Sequence, residues 1–360
     1  MRQVDSGAGR SAAQRSLRQL NPDSAADSNL WDAYVASVPG ASSAHQMGWL
    51  RVIKRVFGHE TYALAVEGAD AALCGILPLV FLKSRLFGTF LVSMPFLNYG
   101  GVLADGSEEE RLLLAEAAQL RERLGAAHVE LRHAETVVEG LPCRTHKVSM
   151  LLPLCDSEDA QWAKLNAKVR NQVRKAQKSG LTATVGNQAL LDGFYTVFAR
   201  NMRDLGTPVY SKSFFARILE EFPASSRIIM VELDGKPVAA GLVMWQHGRL
   251  EVPWASSLRE YNSSCPNNLL YWEAIRFAVG LGQAVLDFGR STPGGGTYKF
   301  KAQWGAAPVQ LHWQYMLKSG DSIPDITPTN PRYQAAIAVW KRLPVPVTNV
   351  IGPLLVRSIP

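Results

Sequence analysis

Cysteine is scarce in this chain: four among 360 residues, at Cys74, Cys143, Cys155 and Cys265, with no CxxC pair or zinc spacing between them. That excludes a disulfide scaffold and reads as reduced, mostly structural thiols of a cytoplasmic protein. HExxH does not occur and the seven histidines form no ligand cluster, so no metal site is expected. No run reaches the roughly 20 apolar residues of a membrane span. The apolar stretch 72–82 is short and holds Pro78, as a buried strand would. Neither GxGxxG nor GxxxxGK[ST] occurs, which removes the dinucleotide fingerprint and the phosphate loop. No Ser-His-Asp or Cys-His arrangement is evident, so chemistry by direct attack is expected rather than a covalent enzyme intermediate.

What the chain does have is a globular composition, 47% hydrophobic and 19% charged. Its length suits two domains with sizeable cores. The net charge of +7 is modest, from 38 basic and 31 acidic side chains. Much of it is local: Lys164, Lys168, Arg170, Arg174, Lys175 and Lys178 fall within 15 residues that contain no acid. Such a patch argues for an anionic partner more specifically than global charge does. Residues 1–29, rich in Ser, Ala, Arg and Gln, read as a disordered leader, without the apolar core or cleavage pattern of a signal peptide.

Periodicity and caps predict helices over 28–38 (capped by Ser28), 46–56, 107–124, 158–179, 189–204, 211–221, 268–281 (capped by Asn267) and 331–342. Strands are predicted near 61–67, 72–82, 89–93, 128–132, 146–152, 181–185, 226–233, 237–246, 249–256, 284–288 and 309–317. The fold class expected is therefore α/β (α+β). Two units of similar kind, 30–152 and 153–320, precede a C-terminal helix and tail over 321–360. Their likeness points to a duplicated fold, although no residue-level repeat is visible. The tail 343–360 is apolar with one charge, Arg357. It reads as a strap over a domain, or alternatively as a membrane-surface or partner contact.

The most informative segment runs from Asp287 to Gly305. An apolar strand ends in Asp287, and a glycine-rich turn follows with Arg290, Ser291 and Thr292. Lys299 and Lys301 then alternate with Tyr298, Phe300 and Trp304. Glycines allow a ligand to approach the backbone, and fixed cations suit an anion or a developing oxyanion. A solvated surface turn is the plain alternative. The basic run 164–178 forgoes the helical ion pairs that normally offset repulsion, and phosphates would supply the missing countercharge. Elsewhere, 201–211 closes a helix, with Gly206 and Pro208 stopping it; the segment is either a plain C-cap or a site in which Arg203 and Tyr210 contact substrate and Asp204 accepts a proton. Pro253, within the strand holding Trp254 and Ser256, removes a ladder donor and predicts a bulge or a sheet edge with a gap beside it; Trp254 is either core or a site residue.

Several of these motifs together resemble the FemAB family. They are Lys168-Val-Arg-Asn-Gln-Val-Arg-Lys-Ala-Gln-Lys-Ser-Gly180, Val252-Pro-Trp-Ala-Ser-Ser257, Asp287-Phe-Gly-Arg-Ser-Thr292 and Tyr298-Lys-Phe-Lys-Ala-Gln-Trp-Gly305. Ser93-Met-Pro-Phe-Leu-Asn-Tyr-Gly-Gly101 and Asn201-Met-Arg-Asp-Leu-Gly-Thr-Pro208 fit the FemAB-related subgroup associated with PEP-CTERM and exopolysaccharide systems. The resemblance spans roughly residues 30 to 355. It implies two tandem GNAT-like domains, each a mixed central sheet flanked by helices, with the site in the second. Members of the family transfer an amino acid from aminoacyl-tRNA to an amine of a peptidoglycan precursor. Related single-domain proteins are assigned as acyl-CoA-dependent N-acyltransferases. Phe300-Lys301 falls where the family carries a Phe-Lys motif near the donor's reactive end, and the basic helix falls in a region associated with phosphate contacts. The chain departs from the peptidoglycan transferases in lacking their inserted helical arm. It also lacks the pyrophosphate loop of ordinary acetyl-CoA enzymes.

The expected function is acyl or aminoacyl transfer to an amine of a sugar- or lipid-linked precursor in cell-envelope or exopolysaccharide biosynthesis. Lys301, helped by Lys299 and Arg290, would stabilise the oxyanion, and Asp287 or a substrate phosphate would take the proton. Lys168, Arg170, Arg174 and Lys175 would hold phosphate. Arg203, Tyr210, Trp254, Ser256, Ser291, Tyr298, Phe300 and Trp304 would contact substrate. No tightly bound cofactor is expected; acyl-CoA or aminoacyl-tRNA is the co-substrate, and a nucleotide-sugar or lipid-linked molecule the acceptor. Further expected partners are tRNA and the inner face of the cytoplasmic membrane, touched through 343–360. The alternatives are a non-catalytic scaffold binding nucleic acid or polysaccharide, and a membrane-peripheral assembly protein.

Overall fold

The computed structural model describes residues 15–84, 88–134, 137–324 and 331–359. In chain order the strands are β1 (Ser16–Leu20), β2 (Glu60–Glu67), β3 (Leu73–Ser84), β4 (Gly88–Val92), β5 (Leu103–Ala104), β6 (His128–His133), β7 (Cys143–Arg144), β8 (Val148–Pro153), β9 (Thr182–Gly186), β10 (Ser226–Leu233), β11 (Lys236–Gln246), β12 (Arg249–Ser257), β13 (Val285–Ser291), β14 (Ala307–Gln310) and β15 (His312–Leu317). The helices are α1 (Ala25–Ser37), α2 (Gly48–Phe57), α3 (Ser107–Arg123), α4 (Glu158–Lys164), α5 (Ala167–Lys178), α6 (Leu191–Leu205), α7 (Lys212–Glu221), α8 (Pro266–Gly280), α9 (Gly296–Ala302), α10 (Pro331–Trp340) and α11 (Val345–Val356).

One sheet runs β1-β2-β3-β4-β6-β15-β7, with β5 on β3; the other runs β14-β8-β13-β12-β11-β10-β9. Strand alternation gives each sheet two apolar faces. In β2, Leu64 and Val66 join Leu113, Ala117 and Leu120 of α3 on the outer side. Ala63 and Ala65 turn inward to a core shared with α1, α2, α6 and α7. In β10, Ile228 and Met230 face that shared core, while Ile229 and Val231 pack outward beneath α5 and α8. The two units are therefore joined by apolar packing rather than by a linker. Trp49 of α2 lies 5.1 Å from Phe222 and 6.4 Å from Trp254, ring centre to ring centre. The Arg51 side chain closes the same seam on Glu221, its Nε at 2.8 Å from the carboxylate.

Several local expectations change. β8, assigned by its sequence position to the end of the first unit, sits in the second sheet between β13 and β14. Its Val148, Met150 and Leu152 fill the second core. The single strand expected over 309–317 is two: β14 pairs with β8, and β15 crosses back to β6. Leu311 at the break is buried in the shared core, which turns the chain between sheets. Residues 15–29 are folded rather than leader: β1 pairs with β2, Leu20 is buried, and Ser24 caps α1 by accepting from the Asp27 amide. Ser28 lies inside that helix, and residues 1–14 lie outside the described part. The helix over 158–179 is two, because Asn166 Oδ1 accepts from the Val169 amide at 3.0 Å and caps a new start. α8 begins at Pro266, ahead of Asn267. The tail forms helix α11, seated on α6. No helix of the described residues is long and apolar enough to cross a membrane.

Candidate active site

β12 and β13 run parallel but pair only at Arg249–Val285, Leu250–Leu286 and Glu251–Asp287. Both strands continue past that point without pairing to each other. β12 stays with β11 through a bulge at Val252-Pro253, where the proline removes a ladder donor as expected. β13 stays with β8 through a second bulge between Asp287 and Arg290, where Gly289 takes φ 76°. The result is a fork in the sheet, whose two arms no longer share a ladder, at the end of a strand where ligand sites are commonly built.

Buried carboxylates occupy the root of the fork. Asp287 Oδ1 accepts from Ser149 Oγ and from the Gly289 amide, each at 2.7 Å, and Oδ2 accepts from the Tyr99 hydroxyl. Its neighbour Glu251 accepts from Ser43 Oγ at 2.8 Å and from the Ser43 amide at 3.3 Å. Burial, and then the charge of Asp287, pushes the Glu251 carboxyl up to about 7. The same two causes hold the Tyr99 hydroxyl well above its ordinary value.

Lys301, on α9, enters the fork from the side. It is buried, and Nζ donates to the Gly289 carbonyl at 2.9 Å and the Arg290 carbonyl at 3.1 Å. Those carbonyls flank the β13 bulge, so the ammonium ties the bulge in place. Burial lowers Lys301 to about 8, against the opposing pull of Asp287.

Arg290 is the exposed group of the site, walled in by protein but open to solvent. Its guanidinium lies 4.8 Å from the Trp313 ring centre, and that of Arg132 lies 4.3 Å from the same ring. Desolvation and then Arg132 lower Arg290 to about 10, which leaves it charged at neutral pH. Lys147 adds a further cation here, donating to Thr292 Oγ1 at 2.6 Å. His146 is held below its ordinary value by burial and by Lys147, Arg144 and Arg290. Tyr210 faces this corner from the other wall; burial pushes it up to about 12, against the pull of Arg290 and Arg132.

The structure thus gathers Asp287, Arg290, Ser291 and Lys301, with Tyr210 opposite. Ser291 Oγ and Trp304 Nε1 are buried with no hydrogen-bond partner among the described residues. Phe300 and Trp304 pack with Tyr271 and Phe288 beneath α9, and Tyr298 leans on the same core. Trp254 belongs to the aromatic cluster between the units, 5.5 Å from Phe214. Ser256 is buried and accepts from Asn201 Nδ2 at 3.0 Å. Lys299 is exposed on α9. Arg203 is spent structurally, on Asp204 at 2.6 Å and the Leu343 carbonyl at 2.9 Å.

The basic helix lies apart, on the outer face. Lys168, Arg174 and Lys175 are exposed, and Arg170 is half-buried. Arg174 stands over Trp162, 5.4 Å from the ring centre. None of these cations has an ion-pair partner among the described residues. α5 is connected to the site through Asn166 Nδ2, which donates to the Gln303 carbonyl at the end of α9 at 3.0 Å.

Glu251, Ser149 and Trp313 were not singled out by sequence reasoning, and Tyr99 entered only inside a motif. For Glu251 a signal existed: a lone acid at an inward position of an otherwise apolar strand. Ser149 carries no such signal, since its partner Asp287 is 138 residues away. Among the described residues no group of three His, Cys, Asp or Glu side chains is placed to hold a metal ion.

Comparison with known proteins gives the arrangement its context. A family model described as "Acetyltransferase (GNAT) domain" matches residues 163–302, which run from the end of α4 through α5 to α9 and contain most of the fork. No curated protein matches the chain. The crystal structure of FemX superposes with a TM-score of 0.64 at 15% identity, covering 83% of this chain and 96% of that one. The C-terminal domain of a putative lysylphosphatidylglycerol synthetase from Agrobacterium fabrum gives 0.54 at 12% identity, over 80% and 92% of the two chains. A tandem GNAT protein from the clavulanic acid biosynthesis pathway gives 0.53 at 11% identity, over 86% and 100%. Residues 163–302 thus match the GNAT acetyltransferase domain model, within a two-sheet mixed α/β chain whose fold is similar to that of a tandem GNAT protein.

Proposed function

We propose that the protein is an N-acyltransferase of cell-envelope or exopolysaccharide synthesis. It moves an acyl or aminoacyl group from the thioester of acyl-CoA, or the ester of aminoacyl-tRNA, to an amine of a sugar- or lipid-linked precursor. The observation that carries this reading is the β12/β13 fork, lined by Asp287, Lys301 and Arg290, inside the segment that matches an acetyltransferase domain. The likeness to FemX and to a putative lysylphosphatidylglycerol synthetase supports the envelope setting. The exopolysaccharide setting rests on sequence motifs.

In this reading the neutral amine attacks the carbonyl carbon of the donor, forming the C–N bond and a tetrahedral oxyanion. Collapse expels the CoA thiolate or the ribose alkoxide of the tRNA. The proton shed by the amine ends on that leaving group, so the balance needs no further reagent. Arg290 is the charge that meets the oxyanion or a substrate phosphate, being the cation open to the cleft. Lys301 acts mainly by position, because two of its three N–H groups hold the bulge. Asp287, with donors on both oxygens, anchors Tyr99 and Ser149 rather than serving as a free base. The unpaired cations of α5 offer countercharge to the pyrophosphate of a donor.

The test is product analysis. Mass spectrometry of the envelope polysaccharide from cells with and without the protein should differ by one acyl or aminoacyl group on nitrogen. Identical polysaccharides, together with steeply salt-dependent binding to nucleic acid alone, would replace the transferase with a binding scaffold.

A further inference from the structure

Nine large apolar side chains are exposed among the described residues, and six of them (Leu205, Val339, Val347, Val350, Ile351 and Leu354) lie at one corner. Leu205 ends α6, Val339 is on α10 and the other four are on α11. Gly206, next to Leu205, packs against Ile337 and Lys341, which brings the end of α6 beside α10. On α11 the two faces are distinct. Thr348, Gly352 and Val356 are buried, with Gly352 closed against Val209. Opposite them Val347, Val350, Ile351 and Leu354 are 38%, 70%, 39% and 64% exposed, at the i, i+3, i+4, i+7 spacing of one helical face.

The unpaired charge around this face has one sign, since Asp204, beside Leu205, is held by Arg203. Lys341, Arg342 and Arg357 are exposed and have no ion-pair partner among the described residues. From residue 326 to residue 360 the chain has four cations and no Asp or Glu. An aliphatic helix face rimmed by cations alone fits a helix lying in the plane of an anionic lipid surface. A second copy of the chain fits less well, because a two-fold contact through this face would bring the same cations together.

We propose that α11 docks the protein on an anionic bilayer, with Val347, Val350, Ile351 and Leu354 in the headgroup region and Lys341, Arg342 and Arg357 on the phosphates. The same helix is braced to the wall of the active-site cleft. Gly352 rests on Val209, next to Tyr210; Arg203 Nη1 donates to the Leu343 carbonyl at 2.9 Å; and His59 Nε2 meets the Arg357 carbonyl at 2.7 Å. A docked molecule therefore holds its cleft near the bilayer, which selects a lipid-linked acceptor over a soluble one. That choice of acceptor rests on the transferase reading, whereas the docking does not.

The experiment is co-sedimentation of the full chain with phosphatidylcholine vesicles, with and without phosphatidylglycerol. Wild type is expected to bind the anionic vesicles and to bind neutral ones weakly. The double variant Val350→Asp/Leu354→Asp should lose about tenfold or more of that binding, and Lys341→Glu/Arg342→Glu should remove the preference for anionic lipid. Both should melt like wild type, since the substituted side chains are exposed. No binding of wild type to either vesicle, or binding that neither variant weakens, overturns the proposal. So does light scattering that shows a dimer which Val350→Asp/Leu354→Asp converts to monomer. Vesicle binding without transfer to any amine would leave the docking intact and remove only the acceptor assignment.

Discussion

The Lys301 ammonium donates to the carbonyl of Gly289, twelve residues back along the chain, and holds open the bulge at which β13 parts from β12. A charge in that position is costly to bury, and the cost is what lowers it from 10.5 to about 8. Between those values the unfolded chain binds more protons than the folded one, so stability rises with pH across that window.

Substituting Lys301→Met removes this term and leaves the two carbonyls without their donor. The variant should be less stable than wild type, and the gap should widen by up to about 3 kcal/mol between pH 8 and pH 10.5. Urea denaturation at several pH values measures it. A gap that stays constant with pH would mean that the amine is solvated and not the buried brace described here.

Glu251 gives the opposite slope. Its carboxyl is raised from 4.5 to about 7, so the folded state binds more protons between those values and loses stability as pH rises through them. Glu251→Gln mimics the protonated form and keeps an acceptor for Ser43. It should match wild type near pH 4.5 and exceed it by up to about 3 kcal/mol above pH 7. A variant less stable than wild type at pH 8 would show that the charged form is the one this site favours.

Gly352 tests the seat of α11. A methyl group there would stand 2.8 Å from the Val209 amide nitrogen and 2.9 Å from its carbonyl oxygen, atoms that cannot swing aside. Gly352→Ala should therefore lower stability by about 1–3 kcal/mol through overpacking, despite the better helix propensity of alanine. Thermal melting that is unchanged or improved would show that α11 is not clamped on this wall.

The sequence displayed the parts of the fold that depend on local pattern. The alternation in β10 and β11, the bulge at Pro253 and the glycine stop after α6 follow from neighbours along the chain. It hid what depends on distant pairing. β8 and β14 alternate or run apolar like any strand, and nothing local says which sheet takes them. The split at Asn166 is a contest between helix continuation and a side-chain cap, which periodicity does not register.

The site divided in the same way. Asp287, Arg290, Ser291 and Lys301 were legible because one short stretch carries them all. Arg203 looked equally like a contact residue, yet its guanidinium is used on Asp204 and Leu343, the latter 140 residues away. Tyr99 and Ser149 matter through one carboxylate, Asp287, which lies 188 and 138 residues from them. Only the folded chain brings those groups together.

Whether the protein makes an amide bond is decided by a transfer assay. Purified protein is given a labelled acyl-CoA or aminoacyl-tRNA with amino-sugar and lipid-linked amine acceptors, and amide product is followed by mass spectrometry for wild type and Arg290→Gln. Burial and Arg132 already disfavour the Arg290 charge, so the variant should melt no lower than wild type. Wild type should yield an amide and the variant should lose about 100-fold or more in rate, the size expected for removing one charge-stabilising group. No amide from any donor and acceptor, or equal product from Arg290→Gln, contradicts the transferase reading.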